Sequence, residues 1–330
     1  MAFSIREQRA AHTISQPKEQ MPRGYAGDQI DGILNLRKPS QSTSMDWVRW
    51  IKRLTHQRHV GHGGTLDPLA EGVLPICFGR ATRLMEFLIE APKLYQATLR
   101  LGISTDTYDS EGNVVQTRDA GYVNQQLFEQ TLKHFTGVIH QIPPMYSALK
   151  QQGKRLYDLA RSGVEVERPA RKVQVYHLEL LHWAPPVATI QIACGRGLYI
   201  RSLGHDIGVA LGCGAHLEAL TRLNSGALSE TDGTTPEVFA EAVAERRWKS
   251  LLYPPDLVLQ HLDAVVVGKA LEDSIKHGRL GSLGPGRMYP APIDPCRVYS
   301  ADGRLVALMR YDMLKGMWQP QKVLDVHPID

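Results

Sequence analysis

The chain has 330 residues, of which 43% are hydrophobic and 22% charged, placing it among ordinary soluble globular proteins with one large or two moderate domains. A formal net charge of +4 and a pI near 8.8 permit an anionic partner without demanding one, so where the charge sits matters more than its sum. No apolar run reaches membrane-span length and no secretory signal opens the chain; Cys77, Cys194, Cys213 and Cys296 form no Cys-x-x-Cys pair or zinc spacing, so a reducing, cytoplasmic setting is expected.

Residues 1–29 carry four Lys/Arg and three Asp/Glu without periodicity and read as a disordered leader, with Met21 a candidate natural start. Ile33-Leu34-Asn35-Leu36 predicts a strand ended by Lys38-Pro39. A helix follows over 45–55, capped by Ser42 or Ser44, with Met45, Val48, Ile51 and Leu54 on one face. Residues 37–58 hold six Lys/Arg against one acid; with Trp47 and Trp50 they suit a solvated face over a buried stripe as well as RNA contact. The Gly-rich stretch 61–72 then enters a strand at 73–78. Pro68 biases Asp67 away from helix, so a carboxylate stands on a stiff turn beside a strand, a plausible reactive group as well as a plain connector.

A helix near 80–90, an alternating strand over 93–102, a polar loop over 105–112 and a helix at 124–135 come next. Residues 148–172 hold seven Lys/Arg and three acids around a short helix at 155–162, which makes Lys150, Lys154 and Arg155 candidates for RNA backbone contact. Strands at 172–183 and 187–194 flank Pro185-Pro186, and helices are predicted near 200–211 and 236–248. After a boundary at Tyr253-Pro254-Pro255, a helix at 268–277, a Gly/Pro-rich stretch 278–295, a hairpin turning at Asp302-Gly303 and a strand near 321–326 read as a small β-rich domain.

Several chemistries fit poorly. Residues 61–72 match neither a dinucleotide fingerprint nor a P-loop. His56, His59 and His62 have no cysteine or paired carboxylate to complete a metal shell. A nucleophile elbow is absent, and Asp106, Asp109 and Glu111, the acids available to a glycosidase, sit in what reads as turn chemistry. Gly195-Arg196-Gly197-Leu198-Tyr199-Ile200-Arg201 is a second Gly-punctuated turn; its tyrosine suits base stacking or a core, and spacing alone does not bring it to Asp67.

The stretch His62-Gly63-Gly64-Thr65-Leu66-Asp67-Pro68-Leu69-Ala70-Glu71-Gly72 resembles the signature of the TruB family of tRNA pseudouridine synthases. Matches continue in order: Leu36-Arg37-Lys38-Pro39, Lys93-x-Tyr95, Gly102-x-x-Thr105-Asp106-Thr107, Gln141 to Lys150, Gly197-x-Tyr199-Ile200-Arg201 and Gly212 to Leu217. They cover about 31–225, and 263–330 resembles loosely the small PUA-type RNA-binding domain appended to this family.

The resemblance implies an α+β fold: a central mixed, mostly antiparallel sheet flanked by helices over 30–255, with a PUA-like domain over 256–330. It implies isomerisation of uridine to pseudouridine at position 55 in the TΨC loop of tRNA, by base flipping, without metal or organic cofactor and by a monomer needing no obligate protein partner. Asp67 aligns with the essential aspartate, as nucleophile or as base at the ribose. Arg201 is expected to pair with it, Tyr95 to stack on the base with its hydroxyl near C5, Tyr199 to share the pocket, and Leu220 to wall it. His62 is expected to fill the space left by flipped nucleotides, and Lys38 to support the loop. Three departures stand out: Gly63 where Thr is frequent, expected to loosen the turn, Leu198 where Thr is common, and Arg196, which adds charge. The rival readings are a non-catalytic RNA-binding or tRNA-folding protein, a guide-RNA-dependent synthase and, more remotely, a carboxylate-dependent hydrolase.

Overall fold

The computed structural model describes residues 30–147, 149–151, 154–162, 164, 166–279 and 295–326. The leader with Met21, and most of 278–295, lie outside the described residues, as do the side chains of Lys150, Lys154 and Arg155.

One large sheet organises residues 32–253. In spatial order its strands are Leu252–Tyr253, Gly32–Lys38, Glu71–Phe78, Ala215–Ser225, Lys93–Leu101, Val187–Cys194, Arg171–Ala184 and Gly137–Gln141. Short strands Val60–His62 and Leu228–Ser229 attach to 71–78 and 215–225. Neighbours along this order run antiparallel except strands 71–78 and 215–225, which are parallel through Glu71↔Thr221 and Gly72↔Arg222. The sheet is therefore the mixed, mostly antiparallel one that the sequence implies.

Strand 215–225 joins the two halves of the sheet, yet the sequence does not announce it. Leu217, Leu220 and Leu223 recur every three residues, a helical spacing. Irregularities at Leu217/Ala219 and Arg222/Asn224 break the two-residue alternation, and that is why the strand is hidden.

Helix Ser44–Thr55 is capped by Thr43, which forms a capping box with Asp46, one residue from either expected cap. Its buried face is Trp47, Val48, Ile51 and Thr55, while Met45 is exposed. Trp50 packs on Phe239, so both tryptophans belong to the core, while Arg49 and Arg53 face solvent. Helix Ile200–Ala210 lies on strand 215–225. At Gly208 a side chain would collide with the Gly214–Ala215 backbone, so this glycine sets how closely the helix approaches.

Beyond residue 253, strands Ala264–Val267, Cys296–Ser300, Leu305–Asp312 and Met317–Val326 form a second sheet, with helix Lys269–Lys276 beside it. The Asp302-Gly303 hairpin forms as predicted, with Gly303 at φ 85°. This sheet docks on the helical turn Gly79–Leu84 that follows strand 71–78: Leu305, Leu308 and Leu324 share a core with Leu84, Leu259 and Leu262. At its edge Lys322 donates to the Arg83 carbonyl at 2.7 Å and pairs with Glu86 at 3.0 Å.

Candidate active site

The loop between strands 60–62 and 71–78 is braced from two sides. Ser44, at the start of helix 44–55, donates through Oγ to the Leu66 carbonyl at 3.0 Å and accepts from the Leu66 N–H at 2.9 Å. From the end of strand 32–38, the buried Lys38 ammonium donates to the carbonyls of Ala70 at 2.6 Å, Pro39 at 2.8 Å and Pro68 at 3.4 Å. Burial pulls Lys38 down to about 8, with the Asp67 charge opposing that shift. Asp67 is thus carried on a turn whose backbone is held on both flanks.

Gly63 does not loosen this turn. A Cβ there would lie 2.6 Å from Leu88 Cβ, so its missing side chain lets helix Met85–Glu90 pack directly against the loop.

Arg201, in the first turn of helix 200–210, meets Asp67: Nε donates to Oδ2 at 2.8 Å. The Arg201 side chain is 5% exposed and that of Asp67 34%, so the pair has a buried cation and a partly exposed carboxylate. The rest of the guanidinium is engaged. Nη1 donates to the Thr107 carbonyl at 3.2 Å and pairs with Asp109 at 3.3 Å, and Nη2 donates to the Tyr146 carbonyl at 2.8 Å. Asp109 is itself buried, accepting from Thr107 Oγ1 at 2.5 Å and from the Glu111 N–H at 3.1 Å. Arg201 therefore joins three segments distant in sequence: the 61–72 loop, the 105–111 loop and the 141–147 segment. That last segment is stitched to the same helix by Gln141, whose amide bonds both the N–H and the carbonyl of Tyr199 at 2.9 and 3.1 Å. Asp109, set aside as turn chemistry, is the residue that sequence reasoning missed here; its only signal is that the Gly102 to Thr107 match ends two residues before it.

Tyr95 and Leu220 are buried on neighbouring central strands, and Tyr199 is half-buried at the start of helix 200–210. Burial pushes both phenols up, with the nearby Asp67 charge adding to the shift. His62 is half-buried, its Nδ1 enclosed without a hydrogen-bond partner, and burial followed by the Arg222 charge pushes it down. Arg222 is the second omission. It is fully buried beneath the loop, donating to the carbonyls of Val73 at 2.6 Å and Gly64 at 3.2 Å. Of the departures, Arg196 pairs with Glu90 and does not turn to Asp67, and Leu198 packs against the main core. Among the described residues, no cluster of three or more His, Cys, Asp or Glu is placed to hold a metal ion.

The site thus brings together a braced carboxylate, a buried guanidinium and two phenols. Such a set can position a planar ring, offer a carboxylate to a sugar carbon or proton, and move protons at a ring edge.

Comparison with known proteins gives the same frame. Residues 52–200 match the TruB family pseudouridylate synthase N-terminal domain, and residues 201–266 the tRNA pseudouridylate synthase B C-terminal domain. The tRNA pseudouridine synthase B of Dehalococcoides mccartyi is 40% identical over 294 residues, 89% of this chain and 96% of that protein. The protein of the same name from Burkholderia mallei is 40% identical over 314 residues, 94% of this chain and 98% of that protein. Among solved structures, the fold is similar to a chain of a Cbf5-Nop10-Gar1 complex, with a TM-score of 0.66 and 28% identity across 90% of this chain and 84% of that one. A chain of an H/ACA RNP bound to a substrate RNA containing 2′-deoxyuridine gives a TM-score of 0.64 at 26% identity, covering 90% and 84%.

Proposed function

Because the chain belongs to the TruB family of pseudouridylate synthases, we propose that it isomerises a uridine of tRNA to pseudouridine, at position 55 of the TΨC loop. The observation that carries this reading is the contact of Asp67 Oδ2 with Arg201 Nε at 2.8 Å, with the Tyr95 and Tyr199 phenols close enough to feel the Asp67 charge.

A uridine inside a folded loop has to leave its stack to reach these groups, at a cost of about a few kcal/mol. His62, at the rim, takes the space that the base vacates. Tyr95 stacks on the flipped ring, Leu220 closes its far side, and Tyr199 borders the sugar. Asp67 then acts at the ribose, as nucleophile or base, while the glycosidic bond to N1 breaks. The detached base turns in the closed pocket and rejoins through C5, with the Tyr95 hydroxyl near that carbon. The reaction is redox-neutral and both fragments stay bound, so the chain's own side chains and exclusion of water suffice.

Exposed cations on helix 44–55, together with Lys150, Lys154 and Arg155, bind RNA phosphates without reading sequence. The catalytic domain is placed at 30–255, and a PUA-like RNA-binding domain at 256–330.

A second reading is kept by the likeness to a chain of an H/ACA RNP, in which a guide RNA and partner proteins would present the uridine. Chemical mapping of pseudouridine in an unmodified tRNA transcript treated with the purified chain alone separates the two. The proposal expects one modified uridine in the T loop; an unreacted transcript favours the guide-dependent reading.

A further inference from the structure

Arg222 is 1% exposed and makes no ion pair with a carboxylate among the described residues; the partners of its guanidinium include the neutral carbonyls of Val73 and Gly64. A charge buried without a counter-charge is costly, and two carbonyl acceptors do not by themselves call for one. Directly across the sheet stands Tyr95: strands 93–101 and 215–225 pair in register Arg222↔Tyr95. Directly opposed residues place their side chains on one face within reach of each other. The Arg222 charge acts on the phenol against the effect of burial, while Asp67 and Cys194 act the other way. The neighbouring ammonium groups are weaker cations. Burial brings Lys38 and Lys93 to about 8, helped in each case by Arg222, whereas a guanidinium stays charged.

We infer that Arg222 is a positioning residue for proton transfer, the counter-cation of a Tyr95 phenolate formed transiently while the rejoined base loses its C5 proton. The inference rests on the isomerase reading above and deepens it. Once C5 has bonded to C1′, that carbon carries both the sugar and its hydrogen, and N1 is doubly bonded to C6. Tyr95 gives its phenol proton to N1 and is left as phenolate beside Arg222. The C5–H bond then breaks: the proton goes to the phenolate oxygen, and the electron pair forms the C5–C6 double bond as the C6–N1 π pair returns to N1. Tyr95 ends as phenol, one proton has moved from C5 to N1, and no oxidant or reductant is involved.

The test compares two tRNA transcripts, carrying uridine or 5-fluorouridine at the target. Fluorine leaves no C5 proton to remove, so consumption of the fluorinated nucleoside reports cleavage and rejoining alone. In single-turnover digests, Arg222→Gln is expected to slow uridine conversion by about a hundredfold, within the range of lost acid–base assistance, and to change consumption of 5-fluorouridine by less than about threefold. Arg222→Lys should recover part of the uridine rate. Equal losses on both bases would mean a bracing role only and would overturn the inference. Should Arg222→Gln not fold, Tyr95→Phe, which keeps the guanidinium and a stacking ring, must show the same selective loss; equal losses there overturn it as well. A wild-type chain that consumes neither base refutes the isomerase reading itself, and this inference with it.

Discussion

Asp67 owes its geometry to residues that do not touch the substrate in this account. Lys38 offers three hydrogens to three carbonyls, which uses every donor of an ammonium group. Burial disfavours the charged form, so this proton leaves at about 8 and not at the ordinary 10.5. Above that pH one carbonyl loses its donor and the loop loosens. Single-turnover conversion at saturating tRNA is therefore expected to fall as pH rises through about 8. Lys38→Met should lower the rate by about tenfold or more and abolish this alkaline limb. Lys93 also lies near 8, but it holds the carbonyls that end helix 85–90, including Leu88 at 3.0 Å, so Lys93→Met should keep the limb. An unchanged limb in Lys38→Met would show that another group sets it.

At the scale of elements, the site is made where ends of elements are tied to one another. Gly63 is the clearest case, because a side chain there would occupy the place of Leu88. Gly63→Thr is expected to cost about 1–3 kcal/mol in urea unfolding by overpacking. Combined with Leu88→Ala, the loss should be smaller than the sum of the single losses; additive losses would contradict the contact. The same scale shows what was legible in the sequence. Strand 93–101 and the Asp302-Gly303 hairpin follow local rules, alternation in one and turn chemistry in the other, and both were foreseen. Strand 215–225 was not, because its bulges disguise a strand as a helix, and Arg222 was hidden with it. Asp109 was legible as a residue but not as a partner, since its pairing with Arg201 spans loops that only the fold brings together. The motifs flagged Asp67, Arg201 and Lys38; the contacts that brace them arise from tertiary packing.

For the whole molecule, the second sheet is no loose appendage, since Leu305, Leu308 and Leu324 share a core with Leu84 in the helical turn that follows strand 71–78. Cations such as Arg53 and Arg58 remain exposed, as a surface for phosphates requires. Affinity for tRNA should accordingly fall at least about tenfold between 50 and 200 mM salt. A flat response in a filter-binding titration would remove the basic segments from the account. The central claim, that this fold presents Asp67 to an extruded uridine, is tested most directly by tritium release from tRNA labelled at uridine C5. The wild-type chain should release the label from one T-loop uridine, and Asp67→Asn should slow release by about a thousandfold or more while still binding tRNA. Equal release by both proteins would contradict it.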